Sequence, residues 1–296
     1  IPNQYSTAIL KSGNYLLSVF NSDDELIFSR KFMIYDPQVT VGVEVLRTRN
    51  LEFIEEKQVV NFNVDSGENI LINPEETVKP LIIQNNDLKR SVSNIPPQYS
   101  IGNLLQYRYD DETSFYAGNE FFDYDNKDIR AATNRVQFIE LLKLYHNYLY
   151  GNNTRKDGVY TYNPDLNGNF QINTIQGDQP KVNAEYAWIH FSLDHPQRPE
   201  GEEIHLYGNF NNFVIEDATK LQFNPENQRY ELPILLKQGY YNYRYVVVKD
   251  GKMLKYNPVD GDFWQTENVY DVLVYYRAPG SRYDELIGRG NALSTS

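Results

Sequence analysis

Residues 236–248 read Leu-Lys-Gln-Gly-Tyr-Tyr-Asn-Tyr-Arg-Tyr-Val-Val-Val, and this stretch decides the fold class. Aromatic and β-branched residues pack well on a pleated, half-buried surface, and the Gln238-Gly239 pair before them is a turn signal. Alternating aromatic and aliphatic stretches recur at 13–20 and 58–64. We therefore predict an all-β chain built from short antiparallel strands packed as β-sandwiches.

Composition excludes several classes of function. The 296 residues include 28 Lys and Arg against 40 Asp and Glu, a net charge of −12, which argues against nucleic acid as a partner because phosphate binding needs clustered cations. The absence of cysteine removes disulfides, thiolate catalysis and cysteine-based zinc sites. Apolar runs are shorter than the ~18–20 residues that a membrane-spanning helix needs, so the chain is not expected to span a membrane.

The length suggests more than one domain. We expect tandem immunoglobulin-like or β-sandwich domains, the first of them truncated at its N-terminus, because two or three strands cannot form an independent core. The predicted boundaries are 1–37 for the C-terminal strands of that first sandwich, 38–181 for a middle sandwich, 182–280 for a C-terminal immunoglobulin-like domain and 281–296 for a mobile tail.

One segment leaves two interpretations open. Phe138, Leu142, Tyr145 and Leu149 are spaced as on one face of a helix of about three turns. The preceding residues 135–138 alternate like a strand, and the flanking chain is predicted to be β, so a strand is favoured.

The residues do not form a recognisable catalytic pattern. The four histidines, at 146, 190, 195 and 205, lack the spacing of a zinc helix and are interpreted as structural. Asp194 and His195 follow Ser192, but neighbours in a strand point to opposite faces. We expect no enzyme activity and no cofactor.

Calcium is the one metal that the sequence makes worth testing. Asp165, Asn167 and Asn169 place oxygens at alternate positions, like the opening of a calcium loop. The segment lacks a distant bidentate glutamate, and Asn167-Gly168 is equally typical of a hairpin turn. A second acidic group, Asp123, Asp125 and Asp128, is interpreted as a solvated loop.

The region 202–275 resembles the starch- and glycogen-binding modules of branching enzymes and of an energy-sensing kinase, through residues 208–213, Gly-Asn-Phe-Asn-Asn-Phe, and 239–244. The resemblance implies a sugar-stacking platform at Phe213 and hydrogen bonds to sugar hydroxyls from Arg244 and Asn268. The second platform falls at Met253, which is not aromatic, and Trp264 could replace it only if exposed. The favoured alternative is that this sandwich has a structural role and does not bind glycan.

A second resemblance extends over the whole chain. It rests on motifs that occur in the following order: Ser12–Tyr15, Arg30–Phe32, Gln84-Asn85, Gly118–Phe121, Asp165–Gly168, Leu236–Tyr243, Gln265–Tyr270, Val274–Arg277 and Asp284–Gly288. Together they resemble the type IX secretion system plug proteins of Bacteroidota, whose members carry an additional N-terminal stretch.

That resemblance implies a non-enzymatic periplasmic protein associated with the outer membrane. Its partner would be the large outer-membrane β-barrel translocon, whose periplasmic opening it would close. The alternative function is a protein that binds α-glucan through Phe213, Arg244 and Asn268. An enzyme is a third class, for which no nucleophile and base stand out.

Overall fold

The computed structural model describes residues 9–133 and 135–295, whose regular secondary structure is almost entirely β-strand, so the all-β prediction is confirmed. The strands are β1 Gly13–Phe20, β2 Leu26–Ile34, β3 Thr40–Arg47, β4 Lys57–Asp65, β5 Val78–Gln84, β6 Asp87–Ser93, β7 Tyr99–Ile101, β8 Leu104–Tyr107, β9 Ser114–Tyr116, β10 Phe122–Asp125, β11 Val136–Leu141, β12 Tyr145–Leu149, β13 Asn152–Asn153, β14 Phe170–Ile172, β15 Tyr186–Asp194, β16 Glu202–Tyr207, β17 Gln222–Asn224, β18 Arg229–Lys237, β19 Gly239–Lys249, β20 Lys252–Met253, β21 Val269–Tyr276 and β22 Glu285–Leu293.

The helices are single turns. Their bounds are α1 Pro74–Thr77 and α2 Pro180–Asn183, with 3-10 turns at Asn209–Asn211 and Asp217–Thr219. Within the described ranges, no helix is long and apolar enough to cross a membrane.

Two sheets form what we call the outer sandwich. One has the strand order β3-β4-β8-β7, with β9 also paired to β4, and the other has the order β22-β21-β5-β6. In β4, Val60, Phe62 and Val64 are buried while the residues between them are more exposed, as expected where one face of a strand covers a core. These side chains pack against Ile82 and Val272 of the facing sheet.

Two further sheets form the inserted sandwich. The first has the order β11-β12-β15-β18-β17 with β13 paired to β15, and the second is centred on β19, which pairs with β10, β14, β16 and β20. Ile189 and Phe191 of β15 pack against Tyr241, Tyr243 and Tyr245 of β19 in its core. Most of β19 is buried on both faces. This explains why residues 240–248 read as a nearly continuous run of apolar and aromatic residues.

The two sandwiches are nested rather than consecutive, which corrects the predicted domain boundaries. Strand β21 pairs with β5, so residues 269–293 complete the outer sandwich that begins at Thr40. Strands β10 to β14, placed by prediction in the middle domain, pair instead with β19, β12 and β15 of the inserted sandwich. The predicted mobile tail contains β22, which pairs with β21 along its length.

The hairpin β1–β2 forms a separate two-stranded sheet, with Gly13 opposite Ile34. Met33 packs against Leu286 and Tyr275 of the outer sandwich, and the Tyr275 hydroxyl donates a hydrogen bond of 2.8 Å to Oδ1 of Asn14. Other apolar side chains of the hairpin face solvent, and Leu16 and Ile27, for example, are 61% and 59% exposed. The hairpin therefore contacts the outer sandwich through only part of its apolar surface, around Met33.

The segment 138–149 is a β-hairpin, as the favoured interpretation predicted. Glu140 of β11 lies opposite His146 of β12, and β12 continues the sheet by pairing in parallel with β15. The helical spacing does not mark a buried face, because Phe138 and Leu142 are 50% and 59% exposed.

Candidate functional site

The chain crosses between the sandwiches twice, through residues 117–121 and 264–268. The two crossings are bonded to each other, since Oγ1 of Thr266 and the amide of Phe263 each donate a hydrogen bond of 2.8 Å to the carbonyl of Gly118. We call this layer, with the side chains that meet there from both sandwiches, the junction. Several motifs that carry the second resemblance meet here, namely Gln84-Asn85, Gly118–Phe121, Asp165–Gly168 and Gln265–Tyr270.

Asn268 is the centre of the junction and is 0% exposed. Its Nδ2 donates to the carbonyl of Ala117 at 2.9 Å and to Oε1 of Gln58 at 3.1 Å, while its Oδ1 accepts from Nδ2 of Asn85 at 2.7 Å. An asparagine side chain has two donor hydrogens and an acceptor oxygen. All of its groups are therefore used inside the protein, and the residue fixes the returning chain against the outer sandwich.

Gln58 and Gln84 extend this network into the outer sandwich. The Tyr270 hydroxyl donates to Oε1 of Gln58 at 2.9 Å and accepts from Nε2 of Gln84 at 2.9 Å. Nε2 of Gln58 donates in turn to the carbonyl of Thr266 at 2.8 Å. Burial raises the pKa of Tyr270 well above its usual range, so the hydroxyl stays protonated and keeps both roles.

Glu120 is the buried carboxylate of the first crossing and is 1% exposed. Its Oε1 accepts from the Tyr160 hydroxyl at 2.5 Å and from the amide of Glu267 at 3.1 Å. Burial raises the pKa of Glu120 above its usual value, while these two hydrogen bonds oppose the rise. Arg155 donates to the Glu120 carbonyl at 2.8 Å and lies 3.2 Å from the carboxylate of Asp260. Arg155 thus links the first crossing to Asp260.

Arg244 is a buried cation of the junction and is 3% exposed. Its guanidinium carbon lies 3.6 Å from the ring centroid of Phe121, a cation–π contact. Burial, and next the positive charge of Arg90, lower the pKa of Arg244 to about 10. Gly118 has a φ of +71°, and a Cβ there would lie 2.9 Å from Nη1 of Arg244. The glycine therefore allows both the turn and the approach of the guanidinium.

The glycan-binding prediction is not supported by these positions. Phe213 is 6% exposed and packs in a small cluster with Tyr207 and Val246, so its ring face is closed to a sugar. Arg244 is covered by Phe121, and Asn268 is saturated by internal hydrogen bonds. Trp264, the candidate substitute, is half-buried with the guanidinium of Arg47 at 4.6 Å from its ring. The predicted sugar-contacting residues thus serve packing and the junction.

The calcium candidates lie in a turn that faces the junction. Oδ2 and Oδ1 of Asp165 accept from the amides of Phe121 at 2.6 Å and Asn167 at 2.5 Å, and Oδ1 of Asn169 accepts from Asn209 at 2.6 Å. Burial raises the pKa of Asp165, while the hydrogen bonds from the amides of Asn167 and Phe121 oppose the rise. The turn interpretation accounts for the contacts of Asp165 and Asn169, whose oxygens accept from the protein's own amides. Oδ1 of Asn167 is buried without a hydrogen-bond partner in the described part of the chain.

The second acidic group is neutralised by neighbouring cations. Asp123 lies 3.1 Å from Arg135, and Asp125 lies 3.5 Å from Lys127. Asp128 has its partner in Arg130, at 3.7 Å. Within 9–133 and 135–295, no group of three histidine or acidic residues is arranged to hold a metal ion.

The histidines divide into two buried and two outward-facing residues. Burial lowers the pKa of His195 and of His205, and His205 lies 3.1 Å from the Thr219 hydroxyl. His146 and His190 lie side by side on the outer face of the inserted sandwich, with Nδ1 and Nε2 at 2.9 Å. This pair was missed from the sequence, because it depends on the parallel pairing of β12 with β15.

The same outer face carries a cross-strand stack of rings. The Tyr148 ring lies between those of Phe138 and His190, with centroid distances of 4.2 and 4.0 Å. Beyond the stack, the β11–β12 turn exposes Leu141 and Leu142 to 62% and 59%. Exposed apolar residues that cluster in this way mark contact surfaces more often than isolated ones do.

Comparisons with known proteins agree with the resemblance in sequence. The family model for the first domain of the type 9 secretion system plug protein matches residues 1–36. A search among curated proteins finds no match. The crystal structure of a hypothetical protein from Parabacteroides merdae superimposes with a TM-score of 0.91 at 30% identity, and the alignment covers 96% of this chain and 72% of that one. Residues 1–36 therefore match the first domain of type 9 secretion system plug proteins, and the fold of the chain is that of the Parabacteroides merdae protein.

Proposed function

We propose that this protein is a non-enzymatic periplasmic plug, which closes the periplasmic opening of the outer-membrane translocon of the type 9 secretion system. The observation that carries the proposal is the junction. It joins the outer and inserted sandwiches through two chain crossings and a buried polar network centred on Asn268. A stopper for a wide, water-filled pore has to keep its shape, and a satisfied buried network gives such rigidity.

The chemistry of the junction supports a structural role. The carboxylates of Glu120 and Asp165 accept hydrogen bonds from the chain itself, and the guanidinium of Arg244 is covered by a ring. A catalytic group needs access to a substrate. In this protein, these groups instead contact the crossing segments and hold them in place.

We further propose that the β11–β12 hairpin, with its turn, is an anchor in the translocon interface. Phe138, Leu141 and Leu142 are each at least half exposed, at 50%, 62% and 59%. Apolar and aromatic anchors ringed by polar groups dominate the binding energy of protein interfaces. The neighbouring Glu140 and Lys143 supply such a polar rim.

The test uses the full-length protein, tagged in its native host and purified from detergent-solubilised envelope. Recovery of a large outer-membrane barrel in stoichiometric amount supports the proposal. A deletion strain should also become more permeable to solutes that the outer membrane normally excludes. Recovery of the protein alone, together with unchanged permeability on deletion, would refute it.

A further inference from the structure

A cleft of about 870 Å³ opens between the outer and inserted sandwiches, beside the junction. Its walls come from β6 and β9 of the outer sandwich and from residues 251–255 of the inserted one. The volume lies in the upper part of the range of about 300–1,000 Å³ that ligand sites occupy. The cleft is therefore larger than a single small anion requires.

The cleft is positively charged although the protein is acidic. Two carboxylates, Asp111 and Glu112, line it, so the balance with its five cations is 5 − 2 = +3 in a chain of net charge −12. The five cations are Lys57, Lys89, Arg90, Lys252 and Lys255. Clefts lined by one sign of charge focus the field on a ligand of opposite sign.

Among the described residues, these cations form no close ion pairs, although the Lys57 ammonium lies 3.8 and 4.6 Å from the ring centroids of Phe53 and Tyr116. In the described part of the chain, none of the five lies within 4.0 Å of a carboxylate, whereas arginines such as Arg198, Arg277 and Arg289 are paired. Nε of Arg90 is buried without a hydrogen-bond partner in that part of the chain, and its Nη1 has only a long contact of 3.3 Å to Gln84. An unsatisfied buried donor is costly, so a ligand acceptor there would be favourable.

The walls of the cleft are also suited to a peptide. Phe115, Met253 and Leu254 provide apolar surface between the cations. Strand β6, whose residues 89–92 line the cleft, is the last strand of its sheet, so its outer edge has no strand partner among the described residues. Extended peptides bind to such edges through backbone hydrogen bonds, and pockets for alternate side chains select the sequence.

We propose that this cleft binds an acidic peptide segment in extended conformation, with acidic side chains on the cations and apolar side chains on the wall between them. Such a peptide matches the positive charge of the cleft, its volume and the unpaired edge of β6. The proposal is independent of plugging, since it concerns a binding site that would exist whether or not the protein closes a pore.

The probe is a fluorescently labelled peptide of alternating glutamate and valine, titrated with this chain and followed by anisotropy at low and physiological salt. The control peptide has glutamine in place of glutamate. We expect saturable binding of the acidic peptide, at least ~tenfold tighter than that of the control and weakened by salt. Equal binding of the two peptides would overturn the proposal, as would tighter binding of a labelled oligothymidine.

Variants locate the site. The double substitution Lys252→Glu and Lys255→Glu should weaken binding of the acidic peptide at least ~tenfold. The matched double substitution Lys156→Glu and Lys181→Glu makes the same change in net charge at exposed positions outside the cleft, and should change affinity by less than about twofold. All four side chains are exposed, so the fold should persist, which a thermal melt checks. Equal losses in both variants would show that only net charge matters and would overturn the proposal.

Discussion

The Tyr207 hydroxyl of the inserted sandwich donates a hydrogen bond of 2.8 Å to Oδ2 of Asp87 in the outer sandwich. Both residues are nearly inaccessible, at 1% and 2% exposure. Burial, and next the charge of Asp87, raise the pKa of Tyr207 well above its usual range, so the phenol remains a donor. This bond ties the two sandwiches directly, in addition to the two chain crossings.

Replacement of Tyr207 by phenylalanine should destabilise the protein. The Tyr207→Phe variant leaves the buried Asp87 carboxylate without this donor, which should lower the free energy of unfolding by about 1–3 kcal/mol. Urea denaturation measures the loss. The control is Tyr99→Phe, at a 55% exposed position, where a change within about 0.5 kcal/mol is expected. Equal stability of the two variants would mean that the bond contributes nothing.

Two glycines separate the effect of backbone strain from that of a steric clash. Gly118 and Gly102 both have positive φ, at +71° and +58°, but only at Gly118 would a Cβ meet a neighbour, Nη1 of Arg244 at 2.9 Å. We expect Gly102→Ala to cost about 1 kcal/mol of unfolding free energy and Gly118→Ala about 1–3 kcal/mol more. Similar losses would show that Arg244 moves aside freely.

Asn268 should be important for stability rather than for sugar binding. Asn268→Ala leaves Asn85, Gln58 and the Ala117 carbonyl without their shared partner, and should lower the free energy of unfolding by about 3 kcal/mol or more. Thermal and urea unfolding measure the effect. Asn153→Ala, at an exposed position of β13, is the control and should be nearly neutral. A fully stable Asn268→Ala protein would contradict the role given to the junction.

Glu120 gives the protein a specific dependence of stability on pH. Because burial raises its pKa in the folded state, the folded protein keeps this proton to a higher pH than the unfolded chain does. Stability from this group therefore falls as the pH rises from the usual carboxyl value through the raised one, by about 1.4 kcal/mol per unit of pKa difference. The neutral Glu120→Gln side chain lacks this loss.

The difference in stability between Glu120→Gln and the parent should therefore shift in favour of the variant as the pH rises from about 4 to about 8. Urea unfolding at several pH values measures this difference. The exposed substitution Glu75→Gln reports the effect of removing a surface carboxylate. If the difference for Glu120→Gln stayed constant with pH, the carboxylate would not be held at a raised pKa.

The proposed anchor is tested by charge substitution. Leu142→Asp with Leu144→Asp places two charges in the β11–β12 turn, and should reduce recovery of the translocon with the tagged full-length protein by roughly tenfold or more. Ile70→Asp is the control, because that residue is 86% exposed in another loop. Undiminished recovery with the double variant would exclude this turn as an anchor.

The local strand pattern was readable from the sequence. The alternating stretches at 13–20 and 58–64 correspond to β1 and β4, since alternation and turn residues are local properties. The pairing of Ile82 with Val272 was not readable, because no local pattern specifies a partner so far along the chain. Domain boundaries drawn along the sequence therefore missed the nesting.

The junction was predicted only in part. Its motifs were visible as signatures of a family, but their structural role was not. The sequence does not show whether an asparagine or glutamine is buried or exposed. The resemblance to glycogen-binding modules assigned Asn268 and Arg244 to a ligand, whereas the structure gives them protein partners. Only the meeting of segments distant in sequence shows that Asn268 bonds to Asn85, Gln58 and Ala117, and that Arg244 lies over the ring of Phe121.

The nesting of the sandwiches also sets an order for synthesis. The outer sandwich needs β21 and β22, which emerge from the ribosome only after every strand of the inserted sandwich. The inserted sandwich can fold while the outer sandwich still lacks β21 and β22. Until these strands arrive, β5 is unpaired on one side. The edge of β5 that β21 later covers is therefore, until β21 is in place, an unpaired strand edge of the outer sandwich, where a chaperone would bind.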